Sequence, residues 1–215
     1  MRISIEVHTS GRWRIRELAP DFTLEDVWAL PAHGRAADFP TLIELAAAAD
    51  PAGSGSVPAR ALWLARDLLG RWFGLGRVST PDTGRPEDRL SIPGTNEKSL
   101  TDRLPDDLRD TVSDLDFDAL PFTALYRTGR EFAAEAANQT VHGVLHLSWV
   151  DQDGGRYQGH LAVYVKPRGL FGRGYLAFIR PFRYLIVYPA LMRKIERTWE
   201  LRGPAGELPG AGGPA

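Results

Sequence analysis

The 215-residue chain contains no cysteine and only three lysines. The absence of cysteine excludes disulfides, zinc–thiolate sites and thiol nucleophiles, and it fits a reducing compartment. The first residues lack the apolar run of a secretory signal, and no run of about 18 apolar residues predicts a membrane-spanning helix. We therefore expect a cytoplasmic protein without integral membrane association.

The chain also lacks a strong net charge, which is −1 at pH 7. A nearly neutral chain has no global attraction to polyanions, so we expect no nucleic-acid partner. The glycine-rich segment 169–175 lacks the GxGxxG spacing, and Ser148 lacks the Gly-x-Ser-x-Gly elbow of hydrolases. These patterns predict no cofactor.

What the sequence does contain is the composition of an ordinary globular domain, with 43% hydrophobic and 25% charged residues. The first half predicts an N-terminal hairpin, in which Ile3, Ile5 and Val7 alternate before a turn and Trp13 and Ile15 alternate after it. Helices are predicted over 38–49 and 59–73, a mobile surface loop over 77–98 and a short helix over 102–112. A domain over residues 1–200 would then be followed by a disordered tail over 201–215.

The second half is more regular. Strands are predicted over 122–128, 131–138, 140–150 and 157–166, and a long helix over 169–200, bent or broken at Pro181 and Pro189. This order favours an α+β fold in which helices cover one face of an antiparallel sheet. A curved sheet wrapped around a long C-terminal helix would be the helix-grip arrangement, with extra N-terminal helices.

The strand over 140–150 has two different faces, because successive side chains alternate. Apolar residues occupy one face: Val141, Leu145, Leu147 and Trp149. The other face carries His142, Val144, His146 and Ser148, and the next strand would add His160, Tyr164 and Lys166. If Trp149 pairs with Tyr157, His146 lies opposite His160 and His142 lies opposite Tyr164.

Three interpretations stay open for this other face, which we call the histidine face. It fits a solvated outer face, which is the usual outcome for alternating strands. It also fits a ligand or acid–base site, because imidazoles titrate near neutral pH. A metal site fits least well, since histidines at i and i+4 on a strand are roughly 13 Å apart, so we expect no metal.

The segment from Leu176 to Met192 is rich in aromatic and aliphatic residues and carries Arg180 and Arg183. It can pack in the core with its arginines reaching water. It can also line an apolar pocket in which an arginine meets an anionic group, or dock on a membrane surface.

Several of these segments resemble a bacterial family of proteins of unknown function, family 2867. The similarity lies in Asp26–Pro31, in Asp102–Pro105, in Asn138 with Thr140–Leu147, and in Pro181–Arg183 with Val187–Pro189. His146 and Arg183 occupy motif positions of the family. The resemblance implies the helix-grip, START-like superfamily of lipid-transfer and polyketide-cyclase proteins, and it implies no established activity.

Three functional hypotheses follow. The leading one is a binding module for a small apolar ligand in a cavity between sheet and helix. The candidate ligand-binding residues are His142, His146, Tyr164, Tyr175 and Arg183. The alternatives are an enzyme of the cyclase, dehydratase or isomerase type, with His146 as candidate catalytic acid or base, and an interaction domain without a ligand.

The strand pattern also predicts which face of this strand is buried. Burial of a large apolar side chain stabilises a fold by roughly 1.5–3 kcal/mol, so Leu145 and its neighbours should face the helix and His146 should point away from it. On that basis Leu145→Ala should cost about 2–5 kcal/mol and His146→Ala much less.

Overall fold

A computed structural model of the chain describes residues 1–48, 98–111, 115, 117, 122–137 and 140–202. Within these residues lies one five-stranded antiparallel sheet in the order β1-β5-β4-β3-β2. The strands are β1 (Thr23–Gly34), β2 (Thr123–Arg127), β3 (Glu131–Ala137), β4 (Val141–Asp151) and β5 (Tyr157–Pro167).

Helices precede, interrupt and follow these strands, which confirms the α+β class. The α-helices of the described residues are α1 (Ile5–Thr9), α2 (Ile15–Leu18), α3 (Phe39–Ala47), α4 (Asp106–Arg109), α5 (Gly169–Phe182) and α6 (Tyr188–Leu201). Short 3₁₀ helices cover Ala36–Asp38 and Leu100–Arg103. No helix within the described residues is long and apolar enough to cross a membrane.

The predicted N-terminal hairpin is wrong, because the segment folds into α1 and α2. The Ser4 side chain caps α1 by accepting from the backbone N–H of Glu6 at 3.3 Å. The Trp13 indole then donates to the carbonyl oxygen of His8 at 2.9 Å and closes the turn. Local capping thus prevails over the alternating pattern.

The strand that the sequence pattern missed is β1. It pairs with β5, with Trp28 opposite Leu161, so the first strand lies beside the last one. Its pairing is irregular between Ala29 and His33, around Pro31. Proline is tolerated in a strand at an edge or an irregularity, where no ladder hydrogen bond is lost.

The four later strands form where they were predicted, but their register differs. In the β4–β5 pair Trp149 lies opposite Gly159 rather than Tyr157, and Ser148 rather than His146 lies opposite His160. The shift arises because β4 extends to Asp151 and leaves a tighter turn, in which Asp153 and Gly154 have positive φ. A two-residue shift preserves the face of every side chain.

The predicted C-terminal helix is confirmed over 169–201, with an interruption. A turn of π-helix over Arg183–Val187 separates α5 from α6. Pro181 lacks the N–H that an α-helix needs at this point, and a local π turn accommodates such a loss. Leu201 is the last residue of α6, so residue 201, which was assigned to the tail, is helical.

One face of the sheet packs against α3 and α6. Its buried core includes Trp28, Leu30, Phe39, Leu42, Ile43, Phe132, Leu147, Trp149, Leu161, Tyr188 and Ile195. Leu145 is half-buried at its border. The odd-numbered residues of β4 therefore face the helix, as the alternation predicts.

The opposite face is buried as well, so the predicted solvated outer face is wrong. The N-terminal segment and residues 98–111 cover it with a second core of Ile15, Leu18, Val27, Leu100, Leu104, Leu108, Leu125, Tyr126, Val144, Ala162 and Tyr164. Helices therefore lie against both faces rather than one. His146 points away from α6 as expected, yet it is fully buried.

The remaining predictions of local structure, the helix over 59–73, the loop over 77–98 and most of the tail, lie outside the described residues. The short helix predicted over 102–112 is present only in part. The 3₁₀ turn is capped by Ser99, and α4 follows Pro105.

Two glycines of α5 give a matched test of this packing. A Cβ at Gly172 would overlap the carbonyl oxygen of Thr140, whereas a Cβ at Gly174 would meet no atom within 4 Å. We expect Gly172→Ala to destabilise the protein by about 1–3 kcal/mol. Gly174→Ala should stabilise it by roughly 0.5–1 kcal/mol, because alanine favours a helix. Urea denaturation measures both, and equal effects would refute the close approach of α5 to Thr140.

Candidate functional site

The five sequence-predicted site residues do not form one site. His142, His146 and Tyr164 lie on the face of the sheet opposite to α6, where the N-terminal segment covers them. Arg183 lies on the face that packs against α6, where it contacts Asp26. Tyr175 is part of α5, and its side chain is outside the described ones.

His146 belongs to a buried cluster around the carboxylate of Glu131. One oxygen of Glu131 accepts from the backbone N–H of Arg14 at 2.9 Å, from the Tyr126 hydroxyl at 3.1 Å and from His146 Nε2 at 3.2 Å. These donors lie just before α2, on β2 and on β4. The carboxylate thus joins the N-terminal segment to the sheet through three hydrogen bonds.

A second carboxylate repeats this arrangement four residues along β3. Glu135 accepts from His142 Nε2 at 2.7 Å and from the backbone N–H of Leu100 at 3.0 Å. The hydroxyl of Ser99 donates to its other oxygen. Glu135 therefore holds the 3₁₀ turn over Leu100–Arg103 against β4, through its bond to His142.

A group of rings fills the space between these two clusters and α1. His8 Nε2 lies 3.1 Å from the Tyr164 hydroxyl. The His8 ring stacks on Trp13 with centroids 5.7 Å apart and meets the edge of His146 at 5.2 Å. The imidazole of His146 is therefore enclosed by the first thirteen residues of the chain.

Three buried polar atoms in this layer have no hydrogen-bond partner among the described residues: His8 Nδ1, His146 Nδ1 and Ser148 Oγ. Buried polar atoms of this kind are uncommon in proteins and call for a water molecule, a ligand or strain. They lie on the same side of the sheet. This is the feature of the histidine face that most resembles a site.

The burial of these rings keeps the imidazoles neutral. Burial, together with the nearby His146, His160 and Arg16, lowers the pKa of His8 to about 3. Burial and the N-terminal amine lower the pKa of His160 to about 4. Burial also lowers the pKa of His146, although its bond to Glu131 opposes the change. Burial raises the pKa of Tyr164 to about 12.

A neutral imidazole that donates from Nε2 to a carboxylate is an acceptor at Nδ1, which is the form of a general base. His146 is fully buried, however, so a substrate would reach it only if the covering segment moved. Among the described residues, no three His, Asp or Glu side chains are arranged to hold a metal ion.

Arg183 takes part in a different buried cluster, on the face that α6 covers. The fully buried carboxylate of Asp26 accepts from Arg183 at 2.7 Å, from the Tyr188 hydroxyl at 3.1 Å and from the Tyr184 hydroxyl. The ring of Tyr188 packs on Trp28, with centroids 4.5 Å apart. This cluster fixes the π turn and the start of α6 on β1.

Sequence reasoning missed the acidic residue at the centre of each of the three clusters. Glu131 and Glu135 stand four residues apart in an alanine-rich strand, and His142 and His146 have the same spacing in the next strand. Two matching i, i+4 pairs on adjacent antiparallel strands were the signal available. Asp26 had no comparable signal, because its strand was not predicted.

The described surface also contains a cleft of about 810 Å³ between the end of α6 and the β4–β5 turn. Its walls include Tyr157, Trp199 and three arginines, Arg35, Arg156 and Arg202. None of these residues was singled out from the sequence. The cleft brings an aromatic surface and positive charge together at one end of the sheet.

Comparisons with known proteins identify the family of the chain. A family model described as protein of unknown function, DUF2867, matches residues 18–190. The chain belongs to the DUF2867 family. No curated protein and no solved structure matches the chain at a significant level. The DUF2867 match spans the sheet, α5 and the π turn, and it includes Asp26, Glu131, His146 and Arg183.

The burial of His146 reverses the stability order expected from its strand position. His146→Ala should cost about 2–4 kcal/mol, because it leaves a cavity and removes a donor from Glu131. Leu145→Ala should cost about 1–2 kcal/mol, since Leu145 is only half-buried. His146→Gln, which keeps an N–H donor, should lose less than His146→Ala. Chemical denaturation of the three variants decides, and a loss below 1 kcal/mol for His146→Ala would contradict the cluster.

The neutral histidines also predict how stability depends on pH. His8 and His160 have folded-state pKa values of about 3 and about 4, against an ordinary histidine pKa of about 6.5. Below about pH 6.5 the unfolded chain binds protons that the folded chain excludes, so the free energy of unfolding should fall down to about pH 4. The slope should be at most about 1.4 kcal/mol per pH unit for each histidine.

Denaturation at a series of pH values measures this slope. His160→Gln should reduce it between pH 6 and pH 4, while the same change at the exposed His33 is the matched control. A slope that is the same in His160→Gln as in the wild type would show that His160 titrates normally in the folded protein.

Proposed function

We propose that this DUF2867 protein is a binding module for a small ligand that combines an apolar or aromatic body with an anionic group. The ligand would lie in the cleft between the end of α6 and the β4–β5 turn. The observation that carries this proposal is the pairing of fixed aromatic rings with arginines in that cleft. Ligand sites are typically concave and largely apolar, with a few polar groups that set orientation.

The aromatic wall is rigid because it is supported from the core. The ring of Tyr157 lies parallel to that of buried Trp149, with centroids 6.2 Å apart, and Trp199 packs against the same indole at 6.0 Å. The Trp199 indole also donates to the carbonyl oxygen of His33 at 2.9 Å. A surface that is ordered before binding loses little conformational entropy when a ligand packs on it.

Three arginines around this wall outnumber the carboxylates of Asp38 and Glu200, and this excess of positive charge favours an anion. Arg202 bonds to Asp38 at 3.3 Å and lies over the Trp199 ring at 5.3 Å. Arg35 and Arg156 are exposed, and neither side chain forms an ion pair with a described residue. Their guanidinium groups are suited to a carboxylate or phosphate, which they bind with two parallel hydrogen bonds.

The order of the strands supports placing the chain in the helix-grip, START-like superfamily. The first strand pairs with the last, the strands between them form a meander, and the C-terminal helix packs across the resulting sheet. In that arrangement a ligand lies between sheet and helix. The cleft fits this position at one end of α6, although it does not include the ligand-binding residues expected from the sequence.

An enzyme of the cyclase, dehydratase or isomerase type is the second candidate. The unpartnered polar atoms of His8, His146 and Ser148 favour it, because they would supply a base and a hydroxyl to a substrate between the sheet and the N-terminal segment. This function requires that segment to open, whereas the cleft needs no rearrangement. The binding module is therefore the better-supported function.

The cleft can be tested with anilinonaphthalene sulfonate, a fluorescent probe that joins an aromatic body to an anion. We expect saturable binding, weakened about tenfold by Arg156→Glu, since a charge-assisted bond contributes roughly 1.5–3 kcal/mol. Arg35→Glu should act in the same direction. Arg130→Glu, the same change at an exposed site on the β2–β3 turn, is the control.

Equal binding by the Arg156→Glu and Arg130→Glu variants would rule out the cleft as the anion site. Mass spectrometry of small molecules extracted from the purified protein then identifies the natural ligand. Recovery of a bound molecule that Arg156→Glu does not release, but that His146→Gln does, would favour the enzyme instead.

A further inference from the structure

One face of helix α5 is uncharged and is formed by exposed residues. At 100° per residue, Leu170, Gly174, Ala177, Phe178 and Pro181 fall within an arc of about 100°. All five are exposed, Leu170 by 84% and Phe178 by 56%, and none belongs to either core. Leu185, in the π turn that follows, is 76% exposed. An apolar surface of this kind usually marks an interaction site.

The same region has a strong excess of positive charge. No aspartate or glutamate occurs between Asp153 and Glu196, whereas Arg173 and Arg180 are exposed beside the apolar arc. Two other cations of the region, Lys166 and Arg183, are bound to Asp21 and Asp26. Arg173 and Arg180 therefore border the apolar face from one side.

From this combination we infer that α5 docks on an anionic membrane surface, with its apolar arc inserted at the level of the headgroups. A helix with an apolar face and arginines at its border, lying parallel to the surface, is the usual form of a peripheral membrane anchor. Its 14 residues extend about 21 Å, too short to span a bilayer. Arg173 and Arg180 would contact lipid phosphates while Leu170 and Phe178 enter the acyl boundary.

Charge complementarity favours lipid over a second copy of the chain. Two-fold pairing through this arc would bring Arg173 and Arg180 of one copy near the same residues of the other, with no acidic residue of α5 to balance them. An anionic lipid surface offers both the apolar phase and the negative charge that this helix lacks.

Flotation of the purified protein with lipid vesicles tests the inference. Binding to vesicles of phosphatidylglycerol and phosphatidylcholine should exceed binding to phosphatidylcholine alone by at least tenfold, and it should weaken as salt is raised. The double variant Arg173→Gln, Arg180→Gln should lose roughly fivefold for each cation removed. Phe178→Glu should abolish flotation.

Matched controls separate docking from general charge and exposure. Arg130→Gln removes an exposed arginine on another surface, and Leu201→Glu changes an apolar side chain that is 87% exposed. Both should float like the wild type. Circular dichroism establishes that each variant is folded before it is scored.

Three results would overturn the inference. One is equal binding to neutral and anionic vesicles, and another is flotation that Phe178→Glu leaves unchanged. The third is self-association in sedimentation experiments that Phe178→Glu abolishes, because the arc would then bind a second copy. The probe titration of the cleft does not depend on any of these outcomes.

Discussion

The structure depends on the burial of both faces of one antiparallel sheet. A strand such as β4 then has no face in contact with solvent. Its alternate residues must suit two different interiors, one on each side of the sheet. One interior, beneath α3 and α6, is aromatic and aliphatic around Trp149. The other contains carboxyl groups, and burial of a carboxyl group destabilises a protein unless its oxygens are hydrogen-bonded. Glu131 and Glu135 meet this requirement by accepting from histidines of β4 and from backbone N–H groups of the covering segments.

The two carboxylate clusters and the Asp26 cluster have a common role. Each joins the sheet to a segment that lies against it: the N-terminal helices, the 3₁₀ turn after Ser99, and the π turn before α6. A hydrogen bond to a buried charge is directional, so it fixes the position of such a segment more closely than apolar packing does. The cleft and the apolar arc of α5 then lie on a framework whose outer elements are fixed to the sheet by these hydrogen bonds.

The sequence pattern predicted the later strands, the C-terminal helix and the face of His146. The face was predicted correctly because a two-residue change in register leaves each side chain on the same side of the sheet. The pattern could not predict that this face is covered, since the cover comes from residues 1–22 and 98–111, which are distant in the chain. The N-terminal hairpin failed because capping by Ser4 and the Trp13 bond prevail over a pattern of only three apolar residues. The cleft was invisible for a similar reason: Arg35, Arg156 and Trp199 become neighbours only through the fold.

The pairing of the first strand with the last also determines when the protein can fold. As the chain leaves the ribosome, β1 emerges early, yet its partner β5 is among the last elements of the domain to be made. Until Leu161 is available, Trp28 and its neighbours remain an unpaired apolar segment. The N-terminal helices that cover the histidine face also cannot dock until late in synthesis, because Glu131 and His146 are made after most of the chain. The sheet can therefore close only after its last strand has been made, and β1 remains without its partner until then.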